Sequence, residues 1–172
     1  MDFYVINKKY INDLKTIDNK VGDVEYGTDK LKFHLGVVLN INNLNYYVPV
    51  SSPRPKHLKM KDGIDFIKIY HFSTNRLLCV LNLNNMIPVP SEFVELLEYS
   101  NIENYRTFKD IKEKNDYIFL LKDELNSINF KETKILQKAQ KLYEAVKNNP
   151  DSRIANRCCD FIELEKFCLL YK

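Results

Sequence analysis

The hydrophobic patterning of this 172-residue chain changes once, near Pro90, and that change constrains the fold more than any other feature. Before it, apolar residues come in short β-branched or alternating runs at residues 2–6, 33–41, 44–50, 64–69 and 77–83. After it, they recur every three or four residues. Phe108, Ile111, Ile118, Leu121 and Leu125 form one series, and Ile135, Leu136, Ala139, Leu142 and Val146 form another. Period-2 runs read as strands and period-3.6 runs as helices. Strands followed by helices point to an α+β fold, in which helices cover a small antiparallel sheet or barrel. A doubly wound fold would need regular alternation, which is absent. No linker or internal repeat divides the chain. The expectation is a single domain, 1–172, with 1–90 as a strand-rich core and 91–172 as its helical part.

Local signals refine this. Asn7 can cap a short helix through Leu14, on which Tyr10, Ile11 and Leu14 share a face. Residues 18–32 are polar, hold two glycines and read as a loop. Asn42-Asn43 between two strong strands reads as a hairpin turn. Pro88 and Pro90 close the strand-rich part, and Ser91 is expected to cap a helix carrying Phe93, Val94, Leu96 and Leu97. Further helices are expected over 105–127, over 131–148 ahead of Pro150, and over 160–170.

At 45% hydrophobic and 28% charged, the chain is globular rather than disordered. Its net charge of +3 is mild but uneven. Residues 1–90 hold 12 Lys/Arg against 8 Asp/Glu, while 91–172 hold 14 against 15, so the basic surplus lies in the first half. Cys79, Cys158, Cys159 and Cys168 lack zinc-site spacing and read as packed, reduced thiols. No signal-peptide core and no run near 18 apolar residues is present, which points to a cytoplasmic protein off the membrane.

Dinucleotide, Walker, zinc-protease and nucleophile-elbow motifs are all missing. His34, His57 and His71 have no mutual metal-ligand spacing, so no metal or cofactor is called for. The chemistry concentrates in residues 51–61, SSPRPKHLKMK. Four cations (Arg54, Lys56, Lys59, Lys61) and two hydroxyls (Ser51, Ser52) follow directly on a strand, with no acid before Asp62. Pro53 and Pro55 stiffen the backbone that presents them. Such donors hold a phosphate. A solvated basic loop is the plainer description of the same composition. A second element converges on it, because an antiparallel hairpin places the start of its first strand beside the end of its second. Lys32 should therefore lie at the same sheet edge as Ser51 and Ser52, with Tyr26 in the preceding loop.

At these residues the chain resembles the ToxN/AbiQ family of endoribonuclease toxins from type III toxin–antitoxin and phage abortive-infection systems. The likeness runs through Phe3-Tyr4, Tyr10-Ile11, Asp18-x-Lys20-Val21 and residues 35–39 (LGVVL). It is most specific at residues 47–57 (YVPVSSPRPKH), continues at 64–66 (IDF) and 81–88 (LNLNNMIP), and is nearest to the lactococcal AbiQ branch. It covers the first ninety or so residues best. The resemblance implies a compact, barrel-like β-core similar to the MazF/Kid toxins with added helices. It also implies metal-independent, sequence-selective RNA cleavage. A repetitive antitoxin RNA, processed and bound by the toxin, would inhibit it in a closed ring of toxin and RNA pseudoknot. Cellular or phage RNA would be the substrate.

Carried over residue by residue, the family's hydroxyl-Ser-Pro-Lys element falls on Ser51, Ser52, Pro53 and Arg54, and its active-site lysine on Lys32. Arg54 keeps the charge but cannot shed a proton, so proton transfer would move to Lys32 or Lys56. The family's loop tyrosine has no gap-free match. Thr28 stands near that register, and Tyr26 is the nearest aromatic hydroxyl. Lys32, Arg54 and Lys56 are expected to meet the phosphate charge, with Ser52 bonding the reacting group and Ser51 supporting it. Tyr26 or Thr28 would position the 2′-OH. Lys56, His57, Lys59 and Lys61 would contact RNA, His57 either as a general acid or by stacking on a base. A non-catalytic RNA-binding module, or a protein-interaction module, would share the loop without the cleavage.

Overall fold

The computed structural model describes residues 1–23, 25 and 30–171. Its strands are β1 (Asp2–Ile6), β2 (His34–Ile41), β3 (Leu44–Ser51), β4 (Ile67–Tyr70), β5 (Leu77–Leu81), β6 (Ile87–Val89) and β7 (Val94–Leu96). The helices are α1 (Lys8–Ile17), α2 (Pro55–Lys59), α3 (Ile111–Asn129), α4 (Glu132–Asn148) and α5 (Phe161–Leu170). The α+β class therefore holds.

The strands form one antiparallel sheet in the order β4-β5-β3-β2-β1-β7, with β6 also on β3. The expected barrel is corrected to an open sheet, because β4 and β7 end the order and no ladder among the described residues joins them. The sheet bends at β3 instead. Its first half pairs with β6 (Tyr46↔Pro88) and its last residues pair with β5 (Val50↔Leu81, Ser51↔Val80).

The β2–β3 hairpin positions the site. Asn42 and Asn43 both take positive φ (51° and 64°), the twist that a two-residue I′ turn requires. Gly36 is needed on β2 because a Cβ there would lie 2.3 Å from the Tyr47 ring on β3. Alternation puts Tyr46, Val48 and Val50 on one face of β3. Helices meet that face. The Tyr46 hydroxyl donates to Glu165 of α5 (2.6 Å) and its ring packs against Tyr143 of α4 and Phe161. Further along, α3 packs over β4 and β5.

Asn7 caps α1 as expected, its side chain accepting from the Tyr10 N–H (3.1 Å). The Tyr10 hydroxyl then donates to the Pro88 carbonyl inside the core (2.8 Å). Asp110 and Asp160 cap α3 and α5. The helix expected from Ser91 is corrected: Ser91–Phe93 is a single 3₁₀ turn, and Val94–Leu96 is an edge strand paired to β1 (Tyr4↔Leu96). All four cysteines are free and buried. No described helix is long and apolar enough to cross a membrane.

Candidate active site

At the open end of the hairpin lies a cleft of about 510 Å³, lined by Lys32, Val50, Ser51, Ser52, Pro53, Arg54, Lys56, His57 and Asn82. The pairing of β2 and β3 builds it. His34 opposes Pro49, and the Val50 N–H donates to the Phe33 carbonyl (3.1 Å), so Lys32 comes level with the end of β3. The register of β5 on β3 brings in Asn82, whose Nδ2 donates to the Ser51 hydroxyl oxygen (3.2 Å). That bond leaves the Ser51 proton free to donate outward. Among the described residues, no Asp or Glu lines the cleft.

The basic loop contains a helix that its composition hid. Pro55, whose fixed φ suits the first helical position, starts α2. The His57 ring folds back to cap it: Nδ1 accepts from the Arg54 N–H (2.9 Å) while the His57 N–H donates to the Arg54 carbonyl (2.8 Å). The paired bonds fix the backbone of Arg54 at the cleft mouth. An Nδ1 that accepts leaves the neutral ring's proton on Nε2. Burial, followed by the Lys56 and Arg54 cations, lowers the His57 pKa. His57 thus lines the cleft as a neutral Nε2–H donor. At 6% exposed, with Phe66 5.6 Å from its centroid, it has no open face for a stacked base.

Lys32 is the cation whose titration the cleft alters. Burial lowers its pKa, the Arg54 charge adds to that, and Asp23 opposes both. Asp23 is itself engaged by Lys15. Behind Lys32, burial and the Lys32 charge push the buried His34 imidazole down to about 3, so it stays neutral. Its Nδ1 has no partner among the described residues.

The sequence-predicted residues separate into three groups. Lys32, Ser51, Ser52, Arg54, Lys56 and His57 are brought together. Lys59 and Lys61 are exposed and do not line the cleft. Tyr26 and Thr28 lie outside the described residues. Asn82 is the residue that sequence reading missed. Its only signal was its place directly after β5, since a strand pairing with the end of β3 must deliver its next side chain there. Among the described residues, no three His, Cys, Asp or Glu side chains gather as a metal site.

The structure is thus an α+β protein with cations and hydroxyls gathered in one cleft at a sheet edge. The model of the ToxN toxin family of type III toxin–antitoxin systems matches residues 2–168. The chain belongs to that family. It is 31% identical to the endoribonuclease ToxN of Pectobacterium atrosepticum over 138 residues, covering 74% of this chain and 81% of that one. It is 28% identical to the endoribonuclease ToxN of Bacillus thuringiensis subsp. kurstaki, covering 99% of this chain and 84% of that one. Among solved structures, one from a bacterial antiviral system regulated by a processed non-coding RNA superposes with a TM-score of 0.81 at 28% identity, covering 96% of both chains. AbiQ, a lactococcal anti-phage endoribonuclease of a type III system, shares the fold with a TM-score of 0.80 at 24% identity, covering 99% of this chain and 96% of that one.

Proposed function

We propose that this chain is the endoribonuclease toxin of a type III system and that it cuts RNA in the cleft at the end of the β2–β3 hairpin. Two relatives that are endoribonucleases support the activity. The observation that carries the site is the convergence of Lys32, Ser51, Ser52 and Arg54 on one cleft.

The reaction is metal-independent. The substrate's 2′-oxygen attacks the adjacent phosphorus, its proton passes to a base, and the 5′-oxygen leaves with a proton from an acid. The products are a 2′,3′-cyclic phosphate and a 5′-OH. Arg54 is a fixed cation and clamps the phosphate oxygens. Lys56 adds charge at the mouth. Lys32, with its lowered pKa, is the group that exchanges a proton, and each such transfer is worth about 10² to 10⁴ in rate. Ser52 donates to the reacting phosphate, and Ser51 does so from its Asn82 anchor. The phosphorane charge thus meets donors already in place, usually the larger part of such catalysis. His57 orients Arg54 and offers Nε2–H, which replaces its sequence-predicted roles as cationic acid or stacking platform. Tyr26 or Thr28 positions the 2′-OH.

A repetitive non-coding antitoxin RNA is the inhibitor. The toxin processes this RNA and binds it as a pseudoknot in a closed ring of alternating toxin and RNA. Cellular or phage RNA is cut when the antitoxin is lost. Supporting this partner, a 28%-identical structural relative belongs to an antiviral system that a processed non-coding RNA regulates. The setting is the cytoplasm, where free buried thiols stay reduced. The test is incubation of the purified protein with mixed-sequence RNA in EDTA, followed by end-group analysis. Cleavage leaving 5′-OH and cyclic phosphate ends is the expected result. Ends bearing 5′-phosphate, or RNA bound but uncut, would overturn the mechanism, and the latter would favour a binding module.

A further inference from the structure

Behind the two hydroxyls of the cleft lies a second, smaller cavity of about 40 Å³. Its walls are Phe3 and Phe33 from the sheet, Val50, Ser51 and Ser52 from the end of β3, and Tyr117, Leu120, Leu121 and Glu124 from α3. Ser51 and Ser52 therefore face two spaces, the substrate cleft in front and the α3 cavity behind. Among the described residues, Glu124 is the one carboxyl in that cavity's lining, and it is 6% exposed. Among the described residues, no cation or hydrogen-bond donor pairs with it. A buried carboxyl without a partner destabilises a fold and calls for a function. The cavity is large enough for about one water, and four polar side chains around it (Ser51, Ser52, Tyr117 and Glu124) supply the partners that a water needs.

We propose that Glu124 is a positioning residue for the cleavage reaction, acting through a water in this cavity on the Ser51 and Ser52 hydroxyls that face the phosphate. The inference rests on the nuclease reading of the cleft. It follows from counting donors and acceptors. A neutral carboxylic acid donates its O–H to the water, and the water donates to a serine oxygen. The serine proton is then left pointing at the phosphate. An ionised carboxylate only accepts, so it takes one of the water's two protons and leaves one for the two serine oxygens; the other serine's proton then turns inward to the water. Only the neutral form leaves both water protons to the serines, so that both serine protons face the phosphate.

Burial alone raises the Glu124 pKa, to about 8, so the acid is mostly neutral at pH 7. The groups facing it from other elements are neutral as well. The Cys79 thiol on β5 and the Tyr99 phenol before α3 both have raised pKa values. Beyond them, the Lys131 charge acts on Cys79 and the Asp2 charge on Tyr99, and the Lys122 ammonium lies 5.5 Å from the Tyr99 ring centroid. On the substrate side stand Lys32, Arg54 and Lys56.

The experiment measures kcat and KM for RNA cleavage from pH 6 to 9.5 for wild type, Glu124→Gln and Glu124→Leu, with thermal melts to show that each is folded. Wild-type kcat is expected to fall above pH 8. Gln mimics the neutral acid, so Glu124→Gln should keep kcat within about threefold at pH 7 and lose that fall. Any decline left at higher pH belongs to Lys32. Glu124→Leu should lose about tenfold to a hundredfold in kcat at nearly constant KM. The inference is overturned if both variants follow the wild-type pH profile, or if Glu124→Leu matches wild-type kcat while folded. If wild type cuts no RNA, the nuclease reading falls, and the inference falls with it.

Discussion

Lys32 is the residue whose environment departs furthest from that of an ordinary surface cation, and its chemistry can be separated from its charge. Lys32→Arg keeps the cation but cannot exchange a proton, since an Arg pKa exceeds about 12. The variant is expected to bind uncleavable 2′-deoxy RNA within about threefold of wild type and to lose about 10²-fold or more in kcat. Lys32→Met should lose both. A Lys32→Arg enzyme at wild-type kcat would make Lys32 a clamp and nothing more. Asn82 offers a second test. Its bond to Ser51 is part of how the cleft holds its donors in place. Asn82→Ala should lower kcat about tenfold for roughly 1 kcal/mol of stability. Asn82→Asp puts a negative charge into the cationic cleft and should weaken RNA binding more than the Ala variant, an effect that shrinks as salt rises.

At the scale of the element, α2 converts a flexible-looking basic loop into a fixed donor array. His57→Ala removes the ring that caps it, which should cost about 1 kcal/mol. It should also remove the hydrogen-exchange protection of the Arg54 amide, which bonds to that ring. Equal protection in the variant would show that the cap does not hold the loop. Elements set by local signals were legible in the sequence. The Asn42-Asn43 turn, the alternation on either side of it and the Asn7 cap carry their own instructions. From the hairpin alone, Lys32 could be placed beside Ser51 and Ser52. Elements set by distant partners were not legible. Residues 91–97 hold too few apolar positions to separate period 2 from 3.6. The outcome there is decided by the free edge of β1, which pairs Tyr4 with Leu96. In β6, Pro88 argues against a strand, yet Tyr10 bonds its carbonyl and β3 supplies the ladder. The four lysines at 131, 134, 138 and 141, on and just before α4, also take different roles. Lys138 donates to the Gly63 carbonyl (2.6 Å) and Lys131 lies over the Tyr70 ring, while Lys134 and Lys141 are exposed.

For the whole molecule, two buried groups set opposite slopes of stability against pH. His34 titrates at about 3 when folded, against 6.5 in the unfolded chain. Its contribution is therefore present above pH 6.5 and lost as pH falls towards 3. Glu124 titrates at about 8 when folded, against 4.5 unfolded, so its contribution is present below pH 4.5 and lost as pH rises towards 8. Each effect is on the order of a few kcal/mol at its limit. Thermal melts across pH should show Glu124→Gln abolishing the alkaline decline and gaining stability over wild type at pH 8. A variant that melts like wild type at every pH would contradict the placement of that carboxyl. Stability and function thus pull apart along α3, which both roofs the sheet and carries an unpaired acid behind the cleft. The proposed site of RNA cleavage is the end of the β2–β3 hairpin. Its most direct test compares wild type with Ser52→Ala, following cleavage of one RNA and binding of its 2′-deoxy analogue. Cleavage is expected to fall about 10²-fold or more while affinity stays within about threefold and the melting temperature is unchanged. Cleavage at the wild-type rate by Ser52→Ala would place the chemistry elsewhere in the molecule.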